Sequence, residues 1–293
     1  MIVSIIIRTF NEEKHLSDLL IGIGEQELGA CQIEVVVVDS GSTDSTLVIA
    51  KKHKCNVVHI SKDQFTFGRS LNVGCAAARG ELLVFVSGHC IPTDRLWLRE
   101  LIKPLADSKA VYSYGRQIGN DSSKFSEQKL FGKYYPEMSK IPQDGFFCNN
   151  ANAALRKDIW EEYRFDEGVT GLEDMELAKR LTESGQSVAY VSSSVVYHLH
   201  SETWGQVKTR YEREAIALQK IMPEVHVNLQ DFVRYFFSGV FFDIGAAIQE
   251  KCFLKRFVEI VLFRLMQYSG SYKGNHEHRE LSKSMKEKYF YPK

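Results

Sequence analysis

Three groups of residues carry side chains suited to chemistry. The stretch VFVSGHCIPTD, Val84 to Asp94, reads as a buried strand that stops at Ser87-Gly88-His89-Cys90, and ligands of α/β proteins tend to bind where such strands run out. The stretch VVYHLHSETW places His198 and His200 two apart at another strand end, so they share a face if the strand continues. Together with His89 they make a candidate metal-ligand set, because imidazole is a common ligand. The third group is GLEDMELAKRL, in which Glu173 and Asp174 open a helix behind the glycine-bearing loop DEGVTG. Acids in a first helical turn are favoured by the dipole whatever their function. A carboxylate facing a cleft from there could take a proton from an attacking hydroxyl.

Other polar residues cluster at the remaining strand ends. Arg8-Thr9-Phe10-Asn11-Glu12 closes the first strand, and VVVVDSGSTDST closes the second with Asp39 as its first polar residue. A carboxylate at that point can accept hydrogen bonds from a nucleobase imide or a ribose hydroxyl. Arg69 and Asn72 lie near a helix start, where free amides and the dipole favour an anion. A dinucleotide fingerprint is missing: no GxGxxG follows the first strand, and Gly22-Ile23-Gly24 falls at a helix end. Between Tyr112 and Asn152, Arg116, Gln117, Asn149, Asn150 and Asn152 offer side chains that could meet the hydroxyls of a polar ligand. Phe146, Phe147 and Trp160 could pack on ring faces, and Glu127 is placed with them. No Ser-His-Asp or Cys-His pattern supplies an enzyme nucleophile.

The elements that position these residues alternate. Strands are expected at Val3–Ile7, Ile33–Val38, Asn56–Ile60 and Leu82–Val86, several nearly all apolar as if buried on both faces. Helices are expected at Glu12–Gly24, Asp44–Lys52 (capped by Ser42 or Thr43) and Gly68–Arg79. Such alternation predicts a mostly parallel sheet with helices on both faces. Further on, strands are expected at Val111–Tyr114, Asn149–Arg156 and Ser187–Val196. Asn120–Gln143 reads as a helix with loops, Ile159–Tyr163 starts a helix, and Glu173–Ser184 is amphipathic and closed by Gly185. Another helix runs from Trp204 to Lys220. Residues 228–293 read as an apolar, aromatic and basic helical appendage.

Composition agrees with a globular protein. The chain has 293 residues, 44% hydrophobic and 25% charged. Lys+Arg and Asp+Glu both number 37, so bulk nucleic-acid binding, which needs a basic surplus, is not expected. The six cysteines form no CxxC pair, which argues against a zinc knuckle. The amino terminus lacks signal-peptide pattern, and no run approaches 18 apolar residues. The expected location is therefore cytoplasmic.

The ordered set SIIIRTFNEE, VVVVDSGSTDST, FGRSLNVGCAAARGELLVFVSGHCIP, NNANAALRKDIW, GLEDMELAKRL and VVYHLHSETW resembles family 2 glycosyltransferases across about residues 2–215. Tyr114-Gly115-Arg116-Gln117, Phe146-Phe147-Cys148-Asn149, His198-Leu199-His200 and the apolar-basic tail resemble most the bacterial rhamnosyltransferase-like group. The resemblance implies an α/β GT-A fold: a Rossmann-like, mostly parallel sheet flanked by helices, here with a C-terminal helical appendage. Residues 1–109 would form the nucleotide-sugar half and 110–227 the acceptor and catalytic half of one domain, with 228–293 the helical region.

Carried over by residue, Thr9, Glu12 and Asp39 would hold the nucleoside. Arg69 and Asn72 would line the donor pocket, with Asn11, Ser87 and Gly88 on the same side. Asp174, with Glu173 beside it, would be the general base of an inverting transfer. Ser87-Gly88-His89 matches the family's DxD motif with serine and histidine in place of the acids. This resembles the DxH variant of polypeptide N-acetylgalactosaminyltransferases, which also have a late histidine, so a divalent cation at His89, His198 and His200 is implied. Mn2+ is favoured over Mg2+, which prefers oxygen ligands. The rival readings are a metal-free site, with the histidines and Arg69 on phosphate, and a domain that has lost its chemistry.

The implied reaction moves a sugar from a nucleotide-sugar, UDP- or dTDP-linked by preference, to a saccharide or lipid-linked saccharide in bacterial surface polysaccharide synthesis. Its alternative is an inactive nucleotide- or sugar-binding module. A nucleotidyltransferase is weaker still, since RTFNEEKHL is not its glycine-rich basic signature. Lys251, Lys255, Arg256 and Arg264 among Phe, Leu and Ile suit a helix lying on the inner face of an anionic membrane, with a homodimer through the same surface as the rival.

Overall fold

The computed structural model describes residues 1–276 and 288–291. In chain order its elements are β1 (Ile2–Thr9), α1 (Leu16–Gly24), β2 (Gln32–Asp39), α2 (Thr46–Lys52), β3 (Asn56–His59), α3 (Phe67–Ala77), β4 (Leu82–Ser87), β5 (Cys90–Pro92), α4 (Trp97–Ala106), β6 (Tyr112–Ile118), α5 (Phe125–Tyr134), β7 (Asn152–Arg156), α6 (Lys157–Tyr163), α7 (Glu173–Glu183), β8 (Val188–His198), α8 (Trp204–Ile221), α9 (Leu229–Gln249) and α10 (Phe253–Asn275). The chain divides into two compact units. The first comprises residues 1–120, 134–168 and 173–199; the second comprises 121–133, 169–172 and 200–293. This division groups α8 with α9 and α10, whereas the sequence reading drew its boundary after residue 227.

The first unit is built on one eight-stranded sheet of order β3-β2-β1-β4-β7-β6-β8-β5. Strands β3, β2, β1 and β4 are mutually parallel. β7 runs against both β4 and β6, while β6 and β8 are parallel again. The apolar runs are buried as expected: Val3, Ile5, Ile6 and Ile7 of β1, Val36 to Val38 of β2 and Leu82 to Val86 of β4 all lie in the core. Each such side chain contributes about 1.5–3 kcal/mol on burial. The parallel register aligns the polar ends of these strands: Thr9 lies opposite Asp39, Arg8 opposite Ser87, and Asp39 opposite His59.

Two elements escape the sequence reading. Helix α4 buries Trp97, Leu98, Leu101, Ile102 and Leu105 along one side. The three-residue strand β5 pairs antiparallel with the end of β8, Cys90 facing His198. Helix starts also differ. α2 begins at Thr46 rather than Asp44, because Ser42 and Thr43 are used elsewhere: the Ser42 hydroxyl donates to Asp39 Oδ1 at 2.5 Å, and the Thr43 amide donates to Asn11 Oδ1 at 2.8 Å. The helix expected from Glu12 begins at Leu16.

The second unit is helical. Helix α8 starts at a capping box formed by Thr203 and Gln206 and packs along α10. The two come close because α10 presents glycine at the contact: a Cβ on Gly270 would lie 2.4 Å from Lys208 O, and one on Gly274 would lie 2.1 Å from Glu212 O. Helices α9 and α10 are fastened by a buried bidentate pair, Arg264 Nε and Nη2 to the two Asp243 oxygens at 2.7 and 2.8 Å. Part of the expected 228–293 region, residues 277–287 and 292–293, lies outside the described residues. Among the described residues no helix is long and apolar enough to cross a membrane.

Candidate active site

The carboxyl edge of the parallel strands gathers the donor-side candidates of the first unit. Asp39 is buried, and its own turn wraps it: Gly41 N and Ser42 N donate to Oδ2 at 2.9 and 3.1 Å, and Thr9 Oγ1 donates to Oδ1 at 3.2 Å. Gly41 supplies the turn with φ of +95°, a conformation glycine adopts without a Cβ penalty. Asn11 takes the left-handed conformation, with φ of 57°, and bridges the two strand-end loops through Ser42 and Thr43. Glu12 is tied to the start of α2, its amide donating to Thr46 Oγ1 at 2.8 Å.

Glu12 then reaches across Gly88. A Cβ on Gly88 would lie 2.9 Å from Glu12 Cγ, so glycine is what lets the carboxylate pass. Its Oε1 lies 3.0 Å from His89 Nδ1. The β5–β8 pairing brings the His89 and His198 rings together, with centroids 5.1 Å apart and planes 23° apart. His198 Nδ1 lies 2.6 Å from Gln117 Oε1, and the Gln117 amide nitrogen is spent on Asn149 Oδ1 at 3.1 Å. Gln117 therefore presents an acceptor, and His198 must donate from Nδ1. The Glu12 carboxylate imposes the same tautomer on His89. When each ring is neutral, Nε2 is then its lone-pair nitrogen. A carboxylate or amide oxygen behind Nδ1 is the usual support of a metal-ligating histidine, and ligand atoms of the two rings lie within 4.8 Å of one another.

The acid pair stands at the start of α7. Asp174 is 6% exposed. Its Oδ2 accepts the Asn150 amide at 2.7 Å and its Oδ1 accepts the Met175 amide at 2.8 Å. Burial, and then the neighbouring charge of Glu173, push the Asp174 carboxyl up to about 7, against the pull of those two amides and of Arg8. A carboxyl titrating there is matched to proton abstraction near neutral pH. Glu173 is buried too and receives Arg8 Nη1 at 2.7 Å.

Other sequence candidates turn out to be framework. Asn72 has a full set of partners: its Nδ2 donates to Phe165 O and Glu167 Oε1, and its Oδ1 accepts from Trp160 Nε1 and Phe165 N. Trp160 is buried and cannot offer a ring face to a sugar; Arg164 covers it at 3.8 Å. Asn152 is fully buried, accepting from Trp97 Nε1 and donating to the Ser194 and Arg116 carbonyls. These three fasten loops and strands, and their buried polar groups are satisfied for that reason. Arg69 caps nothing with its side chain, and its guanidinium has no hydrogen-bond or ionic partner among the described residues. Arg116 pairs with Glu137 at 3.0 Å, while Arg116 Nε and Asn150 Nδ2 are buried without a partner. Phe147 stacks on the exposed Tyr134 at 5.8 Å; of these two, Tyr134 is the one that sequence reading overlooked.

His200 and Glu127 belong to the second unit. There His200 Nδ1 lies 2.8 Å from Glu127 Oε1, which also takes Arg210 Nη2 at 2.7 Å. Arg210 in turn clasps both oxygens of Glu202. Burial pushes the Glu127 carboxyl up, but the hydrogen bond and charge of His200 and the charge of Arg210 hold it below its ordinary value.

Comparison with known proteins agrees with this arrangement. The family model for glycosyl transferase family 2 matches residues 4–164, more than half of the chain. The chain belongs to glycosyl transferase family 2. Among curated members it is 26% identical to the O-antigen chain rhamnosyltransferase RfbN of Salmonella typhimurium over 223 residues, 72% of this chain and 70% of that one. It is also 26% identical to WbaN of Salmonella anatum, over 61% and 60% of the two chains. Its fold is that of the mannosyltransferase PcManGT from Pyrobaculum calidifontis, solved with GDP-Man and Mn2+: TM-score 0.65, 17% identity, 94% and 88% coverage. Glucosyl-3-phosphoglycerate synthase from Mycobacterium tuberculosis, solved with Mn2+, UDP-glucose and phosphoglyceric acid, aligns with TM-score 0.55 at 20% identity, over 75% and 79%. The protein is thus a glycosyltransferase of GT-A fold. In this family 2 enzyme the strand end after β4 carries Ser87 and His89, and the β5 turn gives His89 a histidine neighbour.

Proposed function

We propose that the chain transfers a sugar from a nucleotide-sugar to a saccharide hydroxyl with inversion, Asp174 acting as the general base. The observation that carries this is the environment of Asp174: buried, held by two backbone amides, and raised to about 7. Asp174 takes the proton from the acceptor hydroxyl as its oxygen attacks the anomeric carbon from the face opposite the nucleotide. No covalent enzyme intermediate is needed. Asp39, Thr9, Asn11 and Glu12 line the strand edge proposed for the nucleoside, and Arg69 is the proposed phosphate contact. Ser87 and Gly88 border the diphosphate. Arg116, Gln117, Asn149 and Asn150, with Phe146, Phe147 and Tyr134, form the acceptor side.

The histidine pair fits a divalent cation. Both rings are oriented by an oxygen acceptor behind Nδ1, and nitrogen donors favour Mn2+ over Mg2+. Of the three histidines, the proposal rests on His89 and His198. When bound, the ion neutralises charge that develops on the leaving diphosphate. Known structures of this fold that hold Mn2+ with GDP-Man or UDP-glucose support the cation and the donor class. The O-antigen relatives support a rhamnosyl-type donor and a lipid-linked saccharide of a surface polysaccharide as acceptor. An acceptor in a membrane suits a cytoplasmic, membrane-peripheral enzyme, and the exposed face of α9 and α10 is the proposed contact.

Asp174→Asn tests the central point. Turnover should fall by about 10²–10⁴ while nucleotide affinity, measured by calorimetry with UDP, dTDP, GDP and CMP, stays near wild type. A variant that turns over normally would remove Asp174 as the base.

A further inference from the structure

Two neighbouring acids and one arginine stand together at the start of α7. Arg8 interrupts the apolar run of β1, one residue before Thr9. Its Nη1 reaches Glu173 Oε1 at 2.7 Å and Phe67 O at 3.3 Å, and its guanidinium lies over the Phe67 ring at 5.1 Å. The arginine is thereby held by three contacts, with 22% of its side chain exposed against 4% for Glu173. The strand that ends in the donor-side residues thus also supplies the counter-ion of the acid pair.

Three further groups that face Asp174 are uncharged. Tyr112 of β6, Tyr135 and Cys148 interact with it, and burial raises all three well above their ordinary values. Among the described residues, the charges that act most on Asp174 are Glu173 beside it on α7 and Arg8 from β1. Two buried carboxylates this close resist joint ionisation unless a cation sits on one of them. Here the cation sits on Glu173, not on Asp174.

We propose that Arg8 is a positioning residue for the transfer: through its ion pair with Glu173 it decides which of the two adjacent acids is the charged spectator and which handles the proton. This rests on Asp174 being the base. Glu173 is the carboxylate that Arg8 pairs. Its negative charge, left beside Asp174, makes Asp174 the stronger base. Neither Arg8 nor Glu173 needs to touch substrate. The arrangement also links the two halves of the reaction, because any movement of the β1 end alters the charge facing the base.

The two partners must then act on Asp174 with opposite signs. Glu173→Gln removes the negative charge and leaves Arg8 uncompensated, so Asp174 releases its proton at lower pH. Arg8→Gln removes the cation, so the acid pair retains a proton to higher pH. The double variant falls between the singles, and Arg8→Lys, which keeps the charge, stays near wild type. A residue that merely holds the fold would give no such pattern.

The test needs no substrate. Thermal stability of the full chain is measured from pH 4 to 9 for wild type and the four variants, with Asp174→Asn as the curve from which the Asp174 transition is missing. The transition midpoint should move down in Glu173→Gln and up in Arg8→Gln, each by about one pH unit or more. Midpoints that stay put, or move the same way in both, overturn the proposal. If Arg8→Gln does not fold, Glu173→Gln and Arg8→Lys still decide it: an unmoved midpoint in the former, or a lysine variant shifted as far as one pH unit, overturns it. Failure of the base assignment is read separately, from sugar transfer or donor hydrolysis persisting in Asp174→Asn.

Discussion

The imidazole of His89 stacks on that of His198, and each ring is steadied from behind by an oxygen, Glu12 for the first and Gln117 for the second. His89, in the turn between β4 and β5, and His198, the last residue of β8, are far apart in sequence and meet because β5 pairs with the end of β8. If the pair holds a cation, the oxygens behind it matter almost as much as the rings. Gln117→Leu should weaken Mn2+-dependent nucleotide binding by about 10–100-fold, and His89→Ala or His198→Ala should abolish its metal dependence. Calorimetry with UDP or dTDP, in Mn2+ and in EDTA, reads both. Equal affinity in the two buffers for wild type would assign the rings to phosphate contact instead.

Asp174 should also leave a mark on stability. Its folded-state value, about 7, lies above that of an unfolded aspartate. Protonation therefore favours the folded state. The contribution is complete below about pH 4, where both states are protonated, and is lost as pH rises toward 7 and beyond. Asp174→Asn, a neutral side chain at every pH, should melt higher than wild type at pH 8.5 and show no such gain at pH 4.5. Calorimetric melts at the two pH values check this.

Gly68 lies in the first turn of α3, where a Cβ would sit 2.1 Å from Asp166 O. The obstacle is backbone, so the helix end or the 166–167 loop must move. Gly68→Ala should cost about 1–3 kcal/mol of stability, measurable by urea unfolding.

The Arg264–Asp243 pair in the second unit is buried on both sides. Asp243→Ala leaves a buried guanidinium without its carboxylate and should cost about 3–5 kcal/mol, whereas replacing both residues by apolar ones of similar size should recover most of that. A double-mutant cycle in urea separates the two cases.

The proposed membrane contact has a direct check. Leu229, Val233, Phe237 and Phe241 recur every fourth residue on the exposed side of α9, and Leu254 and Val258 continue the exposed apolar surface on α10. The purified chain should sediment with vesicles containing anionic phospholipid at low salt, and Phe241→Ser with Phe242→Ser should reduce this. A chain that stays in the supernatant, and that sediments as a dimer in the ultracentrifuge, would assign the face to self-association.

The strands of the nucleotide-side half were legible because they are apolar on both faces and end in polar residues. Val36-Val37-Val38-Asp39 and Phe85-Val86-Ser87 announce where the sheet stops. Asp174, the proposed base, drew notice from its place behind a glycine loop. Side-chain direction could not. Trp160 and Asn152 have the chemistry of sugar contacts, yet both face inward and spend their polar atoms on Asn72, Trp97 and backbone carbonyls. The pairing of three residues, Cys90 to Pro92, with β8 has no local signature, because its partner is fixed by the sheet and not by its neighbours. Arg8 carried a signal that went unused: a charge inside an otherwise apolar strand needs a partner, and that partner is one of the two acids.

The β5–β8 ladder also sets an order of events. His198 follows Cys90 by 108 residues, so at about 5–20 residues per second a ribosome finishes the donor-side strands several seconds before it supplies the residue that completes the histidine pair. A nascent chain that ends before β8 holds the strand edge proposed for the nucleoside without its histidine counterpart. The proposed cation site is therefore complete only once His198 has been made.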